Sequence, residues 1–422
     1  MPRDGDDDMG ITLRLRGHWE RYAIFQYFWV IAVLPKALQL VALGVLMCLA
    51  VLRSDRKLRP DRFVLLQGLC LLIYALSIVV NAILGQHAMS RVFAAVNTWA
   101  INLVALALYA FYRNMELDYR RIGKYSLINL LILIGLWLAF EITDGAKIMF
   151  WGRKLSDDDW INGLLDMRFM GFLDYSNLVI FCILFFYPLA LRYLSQRPLL
   201  CLGLTLLLFP VVSATNSRTG LVLVAVLLLA YVLFVLQKIF FRIYRKYRPH
   251  TVLLCCALVL VVGIAAFDMA VGILQKFISL RAGSNSMRTF IYTESLTQML
   301  TRSPVIGIGI KDLLAFQADG YAMQYYALGS HSTYLGMFYK IGLLGGILYL
   351  LSLIAVFVPI LKSRDKDNHM LMLKVCVLGA ALMMLLEDID GANWSICLFY
   401  LLLAFLRNPR WDEPKTNEIK GK

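Results

Sequence analysis

The chain has 422 residues, 60% of them hydrophobic and 17% charged, with a mean hydropathy of +0.68 and a formal net charge of +14. Soluble domains carry about 45–50% apolar and about 25% charged residues, so a soluble enzyme and a disordered chain are excluded. A porin-type barrel is excluded as well, because the apolar runs are long and unbroken rather than short and alternating.

The acidic start, Met1 to Asp8, lacks an apolar core, so no cleavable signal peptide is expected. Beyond it the apolar runs predict spans at 21–33, 37–52, 62–84, 93–112, 124–142, 173–191, 198–213, 220–237, 251–270, 333–361, 370–386 and 393–406. Only Pro35 and Lys36 divide the first two, and Pro35 ends or kinks a helix. A single kinked span there would reverse the N-terminus. Charge decides: with both termini in the cytoplasm, that side carries 28 of the 42 Lys and Arg, the strongest marker being Lys238 to Arg248. The basic residues flank the spans, so topology explains the net charge and no nucleic-acid partner is expected. The expectation is an all-α, polytopic helical membrane protein with about 12 transmembrane helices, one integral membrane domain over residues 1–422. All eight cysteines lie in apolar runs, which gives neither a disulfide framework nor a thiolate metal site.

Two long segments then face outward, 143–172 and 271–332. The second is too long to be a mere connection. It carries Phe290, Ile291, Leu296, Met299 and Leu300 at mixed helical spacing and the turn-rich run Ser303 to Gly309. An ordered loop cap with short amphipathic helices is expected there. Unusual polar residues gather on the same side: Asn216 and Arg218 in the turn after the seventh span, Arg281 and Arg288 in the long loop, His331 and Ser332 at its end, and Glu387, Asp388 and Asp390 in the last outer turn. Each has a plain alternative. Arg218 at a span end reads also as a snorkelling anchor, Arg288 as a lipid-headgroup contact, His331 as an interfacial residue, and the acidic turn as solvated. Asp157 to Asp159 read as a solvated loop or a cation site. Lys340 lies inside a span, where a charge is a functional candidate. Gly342, Gly345 and Gly346 form a small-residue face that suits close helix packing.

His331 and Ser332 are followed by nine residues and then Gly342-Leu-Leu-Gly345. Here the sequence resembles the O-antigen ligase and polymerase superfamily of bacterial surface-polysaccharide enzymes. The Asn216 to Gly220 turn with its Ser-Arg-Thr core, the Ser303 to Gly309 run, and Arg168-x-x-Gly171 with Asn177 resemble further pieces of that pattern, in the same order. Family members often have Pro before the Asn, where this chain has Ser176. The resemblance implies an active site facing outward on the bacterial inner membrane. The donor would be a saccharide on undecaprenyl pyrophosphate, transferred to an acceptor hydroxyl with inversion and without a metal or other cofactor. His331 matches the catalytic histidine, and Arg218 and Arg288 match the arginines that engage the pyrophosphate. Arg168, Asn177, Asn216, Arg281, Ser332, Tyr334, Glu387 and Asp388 are supporting candidates.

The chemistry of these side chains suits the implied roles. Arginine offers a fixed fork of donors to phosphate oxygens, which would stabilise the charge that grows on the leaving pyrophosphate. A histidine near neutrality can take the acceptor's proton. Gly329 to Tyr334 and the Glu387 to Gly391 turn resemble repeat-unit polymerases, whose acceptor is the growing polysaccharide and which work with a chain-length regulator. A ligase that transfers finished polymer to lipid A-core is the alternative. A lipid-linked-oligosaccharide flippase is the rival of another class, although such transporters place their ionisable features near the bilayer midplane. A non-catalytic scaffold is a further one.

Overall fold

A computed structural model describes residues 20–52, 60–85, 87–143, 149–150, 153–154, 156–161, 164–173, 175–217, 220, 223, 226–227, 231, 282–317, 324–363, 368–389 and 393–408. Among them, six helices are long and apolar enough to cross a membrane, and three shorter apolar ones accompany them. The protein is a helical, multi-pass membrane protein.

The chain runs α1 (Glu20–Gln26), α2 (Phe28–Val33), α3 (Lys36–Leu52), α4 (Arg62–Leu84), α5 (Met89–Tyr112), α6 (Tyr119–Ile142), α7 (Ser176–Tyr193), α8 (Pro198–Ala214), α9 (Ala282–Arg302), α10 (Thr333–Lys362), α11 (Asn368–Leu386) and α12 (Asn393–Arg407). Helix starts follow their sequence signals. The Asp61 side chain accepts from the Val64 amide and Asp118 from the Arg120 amide, while Pro198 occupies the first turn of α8, where its missing N–H costs nothing. The expected first span, 21–33, is instead two short helices broken at Tyr27, and together they are too short to cross about 30 Å of hydrocarbon. The expected spans at 220–237 and 251–270 lie almost wholly outside the described residues.

Helix α7 is the central post. Every side chain from Leu178 to Leu191 is buried, because α6, α8, α11 and α12 surround it. Around its middle, Phe25, Phe28, Phe185, Phe186, Trp394 and Phe405 pack as an aromatic cluster; Phe28 and Phe186 sit 4.9 Å apart, edge to face. The other helices expose leucine and valine outward, as on α4 at Leu65, Leu72, Leu76 and Val79, which suits a lipid-facing surface.

The segment before α7 contains two hairpins, β1 (Met149–Phe150) with β2 (Arg153–Lys154) and β3 (Ser156–Ile161) with β4 (Leu164–Phe169); Asp157 to Asp159 are part of β3. The segment before α10 contains α9 and the hairpin of β5 (Leu313–Phe316) with β6 (Gln324–Ala327). Among its described residues, one helix of 21 residues takes the place of the expected short ones; it buries Ile291, Ser295 and Met299 at four-residue spacing and turns Leu296 and Leu300 outward.

Helix α10 is broken at Gly342, whose φ of 67° and ψ of −169° lie in a region only glycine occupies readily. The Ser303 to Gly309 segment docks into the break. Its Ile308 and Gly309 amides donate to the Tyr339 and Lys340 carbonyls at 2.9 and 3.0 Å, and its Pro304 and Val305 carbonyls accept from Leu343 and Leu344 at 2.8 and 3.2 Å. The Gly307 carbonyl accepts from Ser77 and Asn81 of α4. The four backbone groups that the break frees are thereby satisfied, the condition for non-helical backbone in a membrane bundle. A Cβ on Gly342 would meet the Val305 oxygen at 2.3 Å, and one on Gly307 would meet the Gly342 nitrogen at 2.3 Å. The glycines of the two motifs are therefore opposite faces of one backbone contact. Gly342, expected to be part of a small face between helices, serves this contact instead.

Candidate functional site

His331 sits just ahead of α10 with φ 61°, a left-handed conformation uncommon outside glycine and costing about 1–3 kcal/mol. Its neighbours hold it there. The Tyr292 hydroxyl of α9 donates to the His331 carbonyl at 2.7 Å, and the Gly329 amide donates to Ser295 Oγ at 2.8 Å. Ser332 caps α10 by accepting from the Leu335 amide. Thr333 binds the α11–α12 turn three times: its hydroxyl donates to the Glu387 carbonyl at 2.8 Å and accepts from the Ile389 amide at 3.0 Å, and its own amide donates to the Glu387 carbonyl at 3.1 Å. The histidine is thus fastened between α9 and the turn that carries Glu387 and Asp388.

Arg288 reaches the same turn from α9. Its Nη1 donates to the Leu386 carbonyl at 3.0 Å and its Nη2 to Glu387 Oε1 at 3.2 Å, while Nε is buried and has no hydrogen-bond acceptor. Lys311, which follows the docked segment, forms a short ion pair with Asp388. On the far side of Glu387, Asn177 at the start of α7 donates to its carboxylate and accepts from Arg168 Nη2 through Oδ1 at 2.7 Å. Arg168 Nε in turn donates to the Thr215 carbonyl at 2.9 Å. Arg168 therefore ties β4 and α7 to the turn after α8, where Asn216 has φ 47°. The Tyr175 hydroxyl donates to the Asp388 carbonyl at 2.8 Å.

Electrostatics follow from this arrangement. Burial, then the positive charges of Arg288 and Lys311, push His331 down from 6.5 to about 4, so the imidazole is neutral near pH 7. Burial raises Glu387, against the lowering by Arg288, Asn177 and Arg168. Burial likewise raises Tyr292.

Of the residues expected at the site, the structure brings together His331, Ser332, Arg288, Glu387, Asp388, Asn177 and Arg168, with Asn216 on the turn that Arg168 holds. Glu387 and Asp388 of the acidic turn are buried rather than solvated. Tyr334 is directed elsewhere: its hydroxyl donates to the Ala381 carbonyl of α11 at 3.0 Å. Arg218, Arg281 and Asp390 lie outside the described residues, as do the side chains of Asp157 to Asp159. Lys340 is buried two residues before Gly342, with its ammonium close to Gly336. Sequence reasoning missed Lys311, Tyr292, Thr333 and Tyr175. Lys311 carried a usable signal, as a cation immediately after the glycine-rich run; the other three act through single hydroxyls, which leave no pattern.

A family model described as O-antigen ligase matches residues 179–350. The match supports placing the chain in the O-antigen ligase and polymerase superfamily, as the motifs do, and covers α9, the docked segment, His331 and the break in α10. No curated protein and no solved structure matches the chain.

Proposed function

We propose that the protein is a glycosyltransferase of the bacterial inner membrane that moves a saccharide from undecaprenyl pyrophosphate to an acceptor hydroxyl. The observation that carries this reading is a neutral, half-buried His331 held within reach of the charges of Arg288 and Lys311. A base that is unprotonated at neutral pH can accept the hydroxyl proton as the oxygen attacks the anomeric carbon. Cations beside it can stabilise the pyrophosphate as the glycosidic bond breaks. His331 is the base, Arg288 and Arg218 engage the pyrophosphate, and Arg168, Asn177 and Glu387 hold the geometry. A single base and direct displacement invert the anomeric centre, and the guanidinium groups serve where a nucleotide-sugar transferase uses a metal. The C-terminus lies in the cytoplasm, and the site opens outward beneath residues 143–172 and 271–332.

We favour a repeat-unit polymerase for O-antigen, capsule or exopolysaccharide on the Gly329 to Tyr334 and Glu387 to Gly391 pattern. The ligase description of the matching family favours the second reading, transfer of polymer to lipid A-core. One assay separates them. Membranes with wild type or His331→Ala receive a defined undecaprenyl-pyrophosphate oligosaccharide, with and without lipid A-core. A ladder of repeats made without core marks a polymerase, and a single transfer to core marks a ligase; both vanish in the variant. Unchanged products from His331→Ala overturn the base assignment, and donor crossing the bilayer without a glycosidic product favours a flippase. Loss of turnover in EDTA that a divalent ion restores overturns the metal-free mechanism.

A further inference from the structure

Two cations close to His331 meet two carboxylates on consecutive residues of one turn. Arg288, on α9, takes Glu387, and Lys311, beyond the docked segment, takes Asp388. Both pairs are at least partly buried, with the carboxylate side chains 5% and 11% exposed. Two cations bridged by two adjacent anions form the charge pattern that a diphosphate would also satisfy, since its phosphates are two linked anions a few ångströms apart. Arg288 carries, in addition, a buried Nε–H without an acceptor, a donor ready for one more oxygen.

We propose that Lys311 is a further cation for the donor's diphosphate, and that Glu387 and Asp388 hold the places of the two phosphates in the free enzyme. This deepens the reading of the site as a lipid-diphosphate transferase and rests on it. Each cation leaves a carboxylate for a phosphate, so the site gains the negative charge of the diphosphate. Glu387 does not lose its support when Arg288 turns away, because Asn177 and Arg168 remain on its other side. The carboxylates keep both cations desolvated and aimed, so less ordering remains when the lipid arrives. They also make entry selective, because a monophosphate replaces only one of them. The arrival of two negative charges near Arg288 and Lys311 offsets the field that lowers His331, so the base strengthens when its substrate is in place.

The test uses the full chain in nanodiscs, with undecaprenyl pyrophosphate and undecaprenyl monophosphate as probes, and measures Kd for each together with the thermal midpoint. Lys311→Met is expected to weaken pyrophosphate binding about tenfold or more, the usual scale for one charge-assisted contact, and to weaken monophosphate binding less. Lys311→Arg restores most of the loss. Asp388→Asn tightens pyrophosphate binding by removing the competitor. The double variant Lys311→Met with Asp388→Asn regains the thermal midpoint by removing the unpaired carboxylate but still binds weakly. If Lys311 is only a structural counter-ion, the double variant binds pyrophosphate like wild type and Asp388→Asn does not tighten it; either result overturns the proposal. Equal losses for the two probes overturn the pairing of two cations with two phosphates. Failure of wild type to bind pyrophosphate at all overturns the site reading itself, and this proposal with it.

Discussion

The docked break in α10 makes a quantitative prediction for Gly342→Ala. The added Cβ would lie 2.3 Å from the Val305 oxygen and 2.5 Å from the Gly307 nitrogen, both backbone atoms that cannot swing aside. The structure has two responses. If the backbone holds, alanine must adopt φ 67°, ψ −169°, at about 1–3 kcal/mol in addition to the clash. If the helix straightens, the four hydrogen bonds between residues 304–309 and 339–344 are lost, at about 0.5–1.5 kcal/mol each, or roughly 2–6 kcal/mol together. Alanine's helix preference returns at most about 1 kcal/mol. Either way the change destabilises the fold by at least about 1 kcal/mol, and the straightened form also frees the segment that leads to Lys311. Gly135→Ala is the control, because a Cβ there meets nothing within 4 Å. Thermal unfolding in detergent should show a clear fall in the midpoint for Gly342→Ala and none for Gly135→Ala, and transfer activity in membranes should follow. Equal midpoints and equal activities would refute the account of the break.

Other consequences can be checked separately. His331→Ala should lower kcat by about 10²–10⁴, the range for a general base, with little change in donor binding. Because His331 titrates near 4 in the free protein, kcat/KM should stay level down to about pH 5; the acid limb of kcat should lie higher, once bound diphosphate offsets the two cations. The same depression has a stability consequence: between pH 6.5 and about 4 the unfolded chain binds the proton that the folded one refuses, so stability falls as pH falls through this window, and less so in His331→Gln. Thr333→Val removes two hydrogen bonds to the 387–389 turn and should reduce kcat more than it raises the donor KM, since it loosens His331 without touching phosphate. Arg288→Lys keeps the charge but loses the fork that binds Leu386 and Glu387, and should raise the donor KM.

Hydropathy made the membrane helices legible: 62–84 and 333–361 are helices within a residue of expectation, because a long apolar run has few other structures open to it in a bilayer. It read 21–33 as one rod because periodicity carries no mark of the break at Tyr27. Helix α9 was visible only as scattered helical spacing, since its polar face hides it from an apolar-run search. The site's histidine and arginines stood out as charged residues at span ends and in motif order. Their partners did not. Lys311 meets Asp388, and Asn177 meets Glu387, across long stretches of chain, and that pairing is made by the packing of α7 and α11. The glycine of α10 was legible as a close approach but not what approached it, because spacing within a helix cannot name a segment that comes from elsewhere.

The break in α10 bears on how the protein is assembled. The ribosome makes residues 303–309 before α10, so their hydrogen bonds to residues 339–344 can form only after that helix has been made. A helix inserted alone would satisfy its own backbone by running straight through Gly342, and only the later docking of the preceding segment opens it. The end of the helix next to His331 is thus shaped by a segment that lies outside the helix. A chain stalled before docking would be fully inserted and still unable to hold its histidine in position.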